Sequence, residues 1–371
     1  MHPSSSSRNA RIDFLRGIAI SCVLILHFAL AYGLKDSPLG TLLGPTLLRA
    51  IAFNGNYGVT IFFVISGYLI TSHSLARWGE LRHVDAHAFY RMRFARIMPP
   101  LLLALAIIVT LGCFDVPFFS NGDGGHHRPA SFFLIGAGSV LTFWHNVLMQ
   151  SAGYFNYCLN VYWSLSVEEV FYLLLPLACL VLRREAIIVG LCAIAIVAGP
   201  LYRAAHANNE IFFMYGYAAC FDAIAIGCLT ALLARRLAPG AGYRRLLRVL
   251  SLMALAAVYL RGIDGNEALG FTLIALASAG FLLASANDGS AGWTAGRATF
   301  ALRWMGRHSY EIYLFHIIVL AAMRNVLAKA AMSHDLRLPW LALFLALTMI
   351  VAGLVARFVS EPANAALRGR R

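Results

Sequence analysis

Apolar runs long enough to cross a bilayer recur along the whole of this chain, and that recurrence limits its fold more than any single residue does. Crossing about 30 Å of hydrocarbon takes roughly 20 mostly apolar residues. About ten windows meet that need: 17–34, 58–74, 98–114, 163–182, 186–203, 211–234, 246–260, 268–286, 309–328 and 339–357. Only 13% of the 371 residues are charged and 60% are hydrophobic, whereas a soluble domain carries about 25% charge. The expectation is an all-α, polytopic membrane helix bundle with about ten transmembrane helices.

Charge placement sets the orientation. Loops on the side of the N-terminus hold Arg8, Arg11 and Arg16; Arg77, Arg82, Arg91, Arg93 and Arg96; Arg183 and Arg184; Arg235, Arg236, Arg244, Arg245 and Arg248; Arg297, Arg303 and Arg307; and Arg357, Arg368, Arg370 and Arg371. Arg and Lys collect on the cytoplasmic side of spanning helices, so both termini are expected in the cytoplasm. The net charge of +13 then reflects membrane topology and not nucleic acid binding. The stretch 131–148 would invert the later loops if it crossed, so it is expected to be interfacial or re-entrant near the outer surface. The polar, basic segment before the first run leads into no clear cleavage site and reads as a retained helix. No linker interrupts the series, which makes 1–371 a single domain. Seven cysteines lie mostly in apolar runs without CxxC or ligand spacing, which predicts neither a disulfide framework nor a metal site.

Several polar groups interrupt the apolar runs. Arg16 and His27 are eleven positions apart, within about 20° of one helix face and about 16 Å apart along it. Ionisable groups inside a membrane are costly and mark function, and neutral imidazole suits general-base work. The spacing matches an extended phosphopantetheine arm, with coenzyme A phosphates near Arg16 and an acyl carbonyl near His27. The alternative is an arginine that marks the helix end and a satisfied interior histidine.

Arg91, Arg93 and Arg96 crowd before Pro99 and Pro100. A helix that starts at the prolines would make this cluster a phosphate receiver; plain anchoring by positive charge is the other reading. Gly58, Ser66 and Gly67 are small residues in a bulky span, which usually means close packing. Glu168 and Glu169 stand side by side in the apolar VYWSLSVEEVFYLLLPL (161–177). Ser164 shares a face with Glu168, while Glu169 points about 100° away. Orienting His27, bonding sugar hydroxyls and relaying protons are all open to these acids. Asp222, Tyr310, Glu311, Tyr313 and His316 add further polarity, and Tyr313 and His316 form an i,i+3 pair.

Taken in order, RIDFLRGIAISCVLILHF (11–28), GVTIFFVISGYLIT (58–71), FYRMRFARIMPP (89–100), WSLSVEEVFYLLLPL (163–177), GRHSYEIYLFH (306–316) and RFVSEPANAALR (357–368) resemble the blocks of membrane-bound acyltransferase family 3. These are integral-membrane O-acyltransferases that modify bacterial polysaccharides and some other acceptors. The ordered set covers almost the whole chain. The resemblance implies a ten-helix core, acyl-CoA taken from the cytoplasm, and transfer to a hydroxyl at the outer face. It places His27 at the catalytic histidine, Arg16 at its partner, Arg91, Arg93 and Arg96 in the donor-binding loop, and Glu168 and Glu169 at the paired acids. Trp163, Ser164, Tyr313 and His316 fall in blocks expected to contact substrate. Thr60, where many relatives carry Asp, and Glu311, in place of a small polar residue, depart from the pattern and bear on acceptor specificity.

The expectation is therefore a multi-pass enzyme of the bacterial inner membrane. It would move a short acyl group, acetyl first, from acyl-CoA to a carbohydrate such as O-antigen or exopolysaccharide. No permanent cofactor, metal or nucleic acid is expected; membrane lipid surrounds the chain. With no fused extracytoplasmic domain, it would act alone or with a separate glycan-assembly partner. A proton-coupled transporter is the first rival, but no duplicated halves or broken helix pairs are evident. A non-catalytic flippase is the second, and it should tolerate His27→Ala.

Overall fold

Helix N-caps and apolar faces account for the element boundaries. In the computed structural model, residues 9–125, 127–237, 240–286, 294 and 296–368 are described; Arg8, Arg370 and Arg371 lie outside them. The described chain forms α1 (Ala10–Tyr32), α2 (Pro38–Phe53), α3 (Asn56–Trp78), α4 (Ala86–Cys113), α5 (Phe132–Leu141), α6 (His145–Ala152), α7 (Trp163–Leu182) and α8 (Glu185–Ala205). It continues through α9 (Glu210–Tyr215), α10 (Tyr217–Arg236), α11 (Ala241–Arg261), α12 (Gly270–Ser285), α13 (Phe300–Arg307), α14 (Ser309–Val326), α15 (Arg337–Val355) and α16 (Glu361–Arg368). There is no strand among the described residues. Asn9 opens α1 by accepting from the Arg11 amide at 3.0 Å, the usual way a short polar side chain satisfies an orphan donor.

Among the described residues, seven helices or merged helices are long and apolar enough to cross a membrane. Three expected runs fall short of that measure. α11 carries Arg244, Arg245 and Arg248 near its start, α12 has 16 residues, and α14 holds Glu311, His316 and Arg324. α14 is nonetheless buried from Ile312 to Leu320. A helix walled by protein needs no uniformly apolar surface, so hydropathy under-reports it. Within 131–148 the chain makes two helices of 10 and 8 residues, with Phe143 between them at φ 63°. Neither is long enough to span.

The largest correction concerns α4. The sequence suggests a helix that starts at Pro99, but Asp85 accepts from the Ala88 amide at 3.0 Å and caps a helix that begins at Ala86. Both prolines therefore sit inside α4, where each removes a backbone donor. Arg91, Arg93 and Arg96 ride mid-helix, with no helix terminus beside them to add its dipole.

Two faces of the bundle are defined by its cross-links. Arg307 of α13 reaches Asp13 at the start of α1 at 3.3 Å, and Arg77 at the end of α3 meets Met92 of α4. At the other end, the Tyr32 hydroxyl donates to Leu327 O at 3.2 Å and Arg337 meets Asp36 at 3.3 Å. α3 and α10 lie backbone against backbone. A Cβ on Gly67 would run into Ile224 O, and one on Gly227 into Val64 O, which is the packing role expected of small residues in a span. Between α8, α10 and α12, Arg203 and Asp222 form a fully buried pair at 2.7 Å, with Thr272 Oγ1 donating to Asp222 at 2.7 Å.

Candidate active site

One helical stripe of α4 and one of α7 make a cleft of about 600 Å³ toward the arginine-rich face. Phe89, Met92, Arg93, Arg96 and Ile97 line it from α4, at the i, i+3, i+4, i+7, i+8 spacing of a single helix face. Arg91 lies about 200° from Arg93; it is exposed and takes no part in the cleft. Ser164, Leu165, Glu168, Glu169 and Tyr172 line it from α7, and Arg16, Ser66 and Tyr313 complete it. Both acids thus face one space despite the turn between them.

Tyr172, which the sequence reading passed over, ties the acids to the arginines. Its ring carries the Arg93 guanidinium at 4.0 Å, a cation–π contact. Its hydroxyl donates to Glu168 at 3.4 Å and also meets Ser66 Oγ. The signal was available, since Tyr172 stands four residues after Glu168 on the same stripe.

A second cavity, of about 1410 Å³, holds His27 together with Trp163, Asn160, Tyr154, Tyr215, Asp123 and Glu210. Trp163 stacks on Tyr215 with centroids 4.5 Å apart. Tyr154 bonds the Tyr215 hydroxyl at 2.9 Å, and burial pushes its phenol up to about 12, so it stays a neutral donor and acceptor. Adjacent residues of α7 serve opposite spaces: Trp163 lines the large cavity and Ser164 the arginine cleft. Tyr313 and Val59 line both. The Tyr313 hydroxyl donates to Val161 O, which can only accept, and takes a hydrogen bond from Ser164 Oγ at 2.7 Å.

His27 is half-buried, and its Nδ1 lies 3.0 Å from Nε2 of His316. The His316 tautomer follows from its other neighbours. Its Nδ1 sits 2.7 Å from Tyr313 O and 3.2 Å from Ile312 O, two acceptors, so Nδ1 carries the proton and Nε2 a lone pair. His27 must then donate from Nδ1, and its own lone pair is at Nε2. The i,i+3 pair of Tyr313 and His316 is joined through the Tyr313 backbone carbonyl and not through its hydroxyl, which bonds Val161 O and Ser164 Oγ. Orientation of His27 likewise falls to His316 and not to Glu168 or Glu169, which line the other space. Thr60 is buried against a small void with Asp222 and contacts neither cavity.

Comparison with known proteins identifies the family. The profile of the family described as acyltransferase domain matches residues 9–357. The chain is similar to the peptidoglycan O-acetyltransferase OatA of Listeria monocytogenes, 26% identical over 372 residues that cover 95% of this chain and 55% of that protein. It is also similar to the O-acetyltransferase OatA of Staphylococcus aureus, 24% identical over 381 residues, 95% of this chain and 56% of the other. It spans about half the length of the curated relatives it matches. No solved structure matches it significantly. With the profile match extending from α1 to the end of α15, the chain belongs to membrane-bound acyltransferase family 3.

Proposed function

We propose that this chain is a membrane O-acetyltransferase that moves an acetyl group from cytoplasmic acetyl-CoA to a hydroxyl of a cell-envelope carbohydrate. The observation that carries the reading is the abutment of two unlike cavities at Val59 and Tyr313, one lined by arginines and the other by His27. In this reading Arg16, Arg93 and Arg96 hold the donor's phosphates, since guanidinium matches phosphate geometry. The pantetheine arm runs along α1 toward His27, about 16 Å deeper. His27 Nε2 takes the proton of the acceptor hydroxyl while its oxygen attacks the thioester carbonyl. The new C–O bond forms, the C–S bond breaks, and the proton passes to the departing thiolate of coenzyme A. His316 keeps the base on the correct tautomer and shares the imidazolium charge. Trp163 and Tyr215 offer an aromatic wall and Asn160, Asp123 and Glu210 polar groups for a hydroxyl-rich acceptor.

The topology goes with it. Ten spans, including two helices too polar and one too short to register by hydropathy, put both termini and the arginine cleft in the cytoplasm of a bacterial inner membrane. The relatives' names point to cell-wall glycan as the acceptor, ahead of O-antigen or exopolysaccharide.

The test is transfer of radiolabelled acetyl from acetyl-CoA to envelope glycans by membranes that contain the parent chain or His27→Ala. Label should enter the glycan only with the parent. Equal labelling by both would refute the assignment.

A further inference from the structure

We propose that the outer end of the arginine cleft, between Trp78 of α3 and Phe89 and Met92 of α4, is the subsite for the adenine ring of the acyl donor. The inference deepens the proposed function and rests on it. The cleft extends well past its arginines. Its α3 wall runs from Val59 through Phe62, Ser66, Leu69 and His73 to Trp78, and Val59 and Trp78 are 19 positions apart, about 28 Å of helix. Ser66 marks the arginine level, because it meets Tyr172, whose ring carries Arg93. That level lies about 10 Å along the axis from Val59, where the large cavity begins. About 18 Å of lined cleft is left on the side away from Val59.

α4 is ordered in the same way. From its start at Ala86 it presents Phe89 and Met92 to the cleft, then Arg93 and Arg96. Arg77 of α3 reaches across to Met92 Sδ at 3.5 Å, so the outer ends of the two walls face each other over a single gap. Coenzyme A carries its groups in the matching order of base, phosphates, arm and thioester. With the phosphates on Arg93 and Arg96 and the thioester toward His27, the adenosine is the part that extends to the outer end. The residues there suit a flat, weakly polar base. Trp78 is half-buried and, among the described residues, is the one tryptophan that lines the cleft. Its indole offers a face for stacking, and the Met92 sulfur is polarizable and adapts to an aromatic ring. The Arg77 guanidinium lies 5.5 Å from the indole centroid, placed to meet a phosphate on the ribose beside the base. A bare phosphate would occupy the arginine level and leave Trp78, Phe89 and Met92 without a counterpart.

The experiment uses the full chain in nanodiscs and two donors, acetyl-CoA and acetyl-4′-phosphopantetheine, which keeps the arm and one phosphate and lacks the nucleotide. The kcat/KM ratio of the two is expected to favour acetyl-CoA, and Trp78→Ala should lower that ratio about tenfold, the usual worth of base–aromatic stacking. Trp78→Phe keeps a ring and should hold the ratio within about twofold. Trp144→Ala, at an exposed tryptophan outside the cleft, should leave it unchanged. A folding defect lowers transfer from both donors alike, so the ratio reads the subsite alone. Adenosine 3′,5′-bisphosphate, titrated calorimetrically with no acyl donor present, should bind about tenfold more weakly to Trp78→Ala than to the parent. No preference in the parent, a parental ratio in Trp78→Ala, or an equal loss in both Trp78 variants overturns the proposal and leaves the acetyltransferase reading standing. Binding of the bisphosphate that depends on Trp78, with no acetyl transfer from either donor, sinks the acetyltransferase reading alone.

Discussion

His316 Nε2 accepts a hydrogen bond from His27 Nδ1 across 3.0 Å, joining the third turn of α14 to the fifth of α1. Because two backbone carbonyls fix the proton of His316 on Nδ1, the pair has one direction: His27 is the donor within it and keeps its lone pair on Nε2, the atom that the proposed function uses as base. Removing His316 should therefore lower turnover without weakening the donor. His316→Phe is expected to reduce kcat by about 10- to 100-fold, the usual effect of losing an orienting partner, with KM for acetyl-CoA unchanged. The double variant with His27→Ala should be no worse than His27→Ala alone, since groups that act as a unit are not additive. Steady-state acetyl transfer by purified protein measures both.

Helix face separates the arginines of α4. Arg93 lies in the cleft over Tyr172, while Arg91 points away from it. Arg93→Ala should raise KM for acetyl-CoA by about 10- to 100-fold, as the loss of a charged hydrogen bond predicts. Arg91→Ala should leave it within about twofold. Equal effects would mean that the whole basic loop, and not this stripe, holds the donor.

Much of the site was legible in residues spaced along one helix. Arg16 and His27, Glu168 and Glu169, and Ser164 announce themselves as polarity in apolar runs, whereas Trp163 is singled out only by the family resemblance. What the spacing could not show is tertiary. His27 and His316 are 289 positions apart, and only packing of α1 on α14 reveals that they meet. The start of α4 differs from the sequence expectation because two prolines outweigh the Asp85 cap, which lies well upstream of both. Arg203 escaped notice because an arginine near the end of an apolar run reads as a boundary. The clue was Asp222, a carboxylate in the second turn of the apolar α10 that needs a buried cation.

That pair carries its own expectation. Arg203 and Asp222 are both essentially inaccessible, with Thr272 bonded to them, and the Arg203 side chain also donates to Ala268 O at 2.9 Å. Breaking one partner leaves an uncompensated buried charge, a cost of about 3–5 kcal/mol. Asp222→Ala should lower the midpoint of thermal unfolding sharply, and Asp222→Ala with Arg203→Met should recover part of the loss. If the double variant is as unstable as the sum of the singles, the two residues are not acting as a pair.

The contact of α3 with α10 gives the last test. Gly67 and Gly227 each face a backbone carbonyl of the opposite helix at a distance that admits no Cβ. Ser66, next to Gly67, lines the arginine cleft and meets Tyr172, so a shift of α3 would reach the cleft proposed to hold the donor. Gly67→Ala must push the helices apart, an overpacking cost of about 1–3 kcal/mol. Acetyl-CoA binding should weaken along with thermal stability, although Gly67 itself touches no ligand. Gly138→Ala is the control, because a Cβ there meets nothing within 4 Å. It should change neither. A Gly67→Ala protein with parental unfolding temperature and parental KM would show that the helices have room to move apart, and that the close approach does not position Ser66.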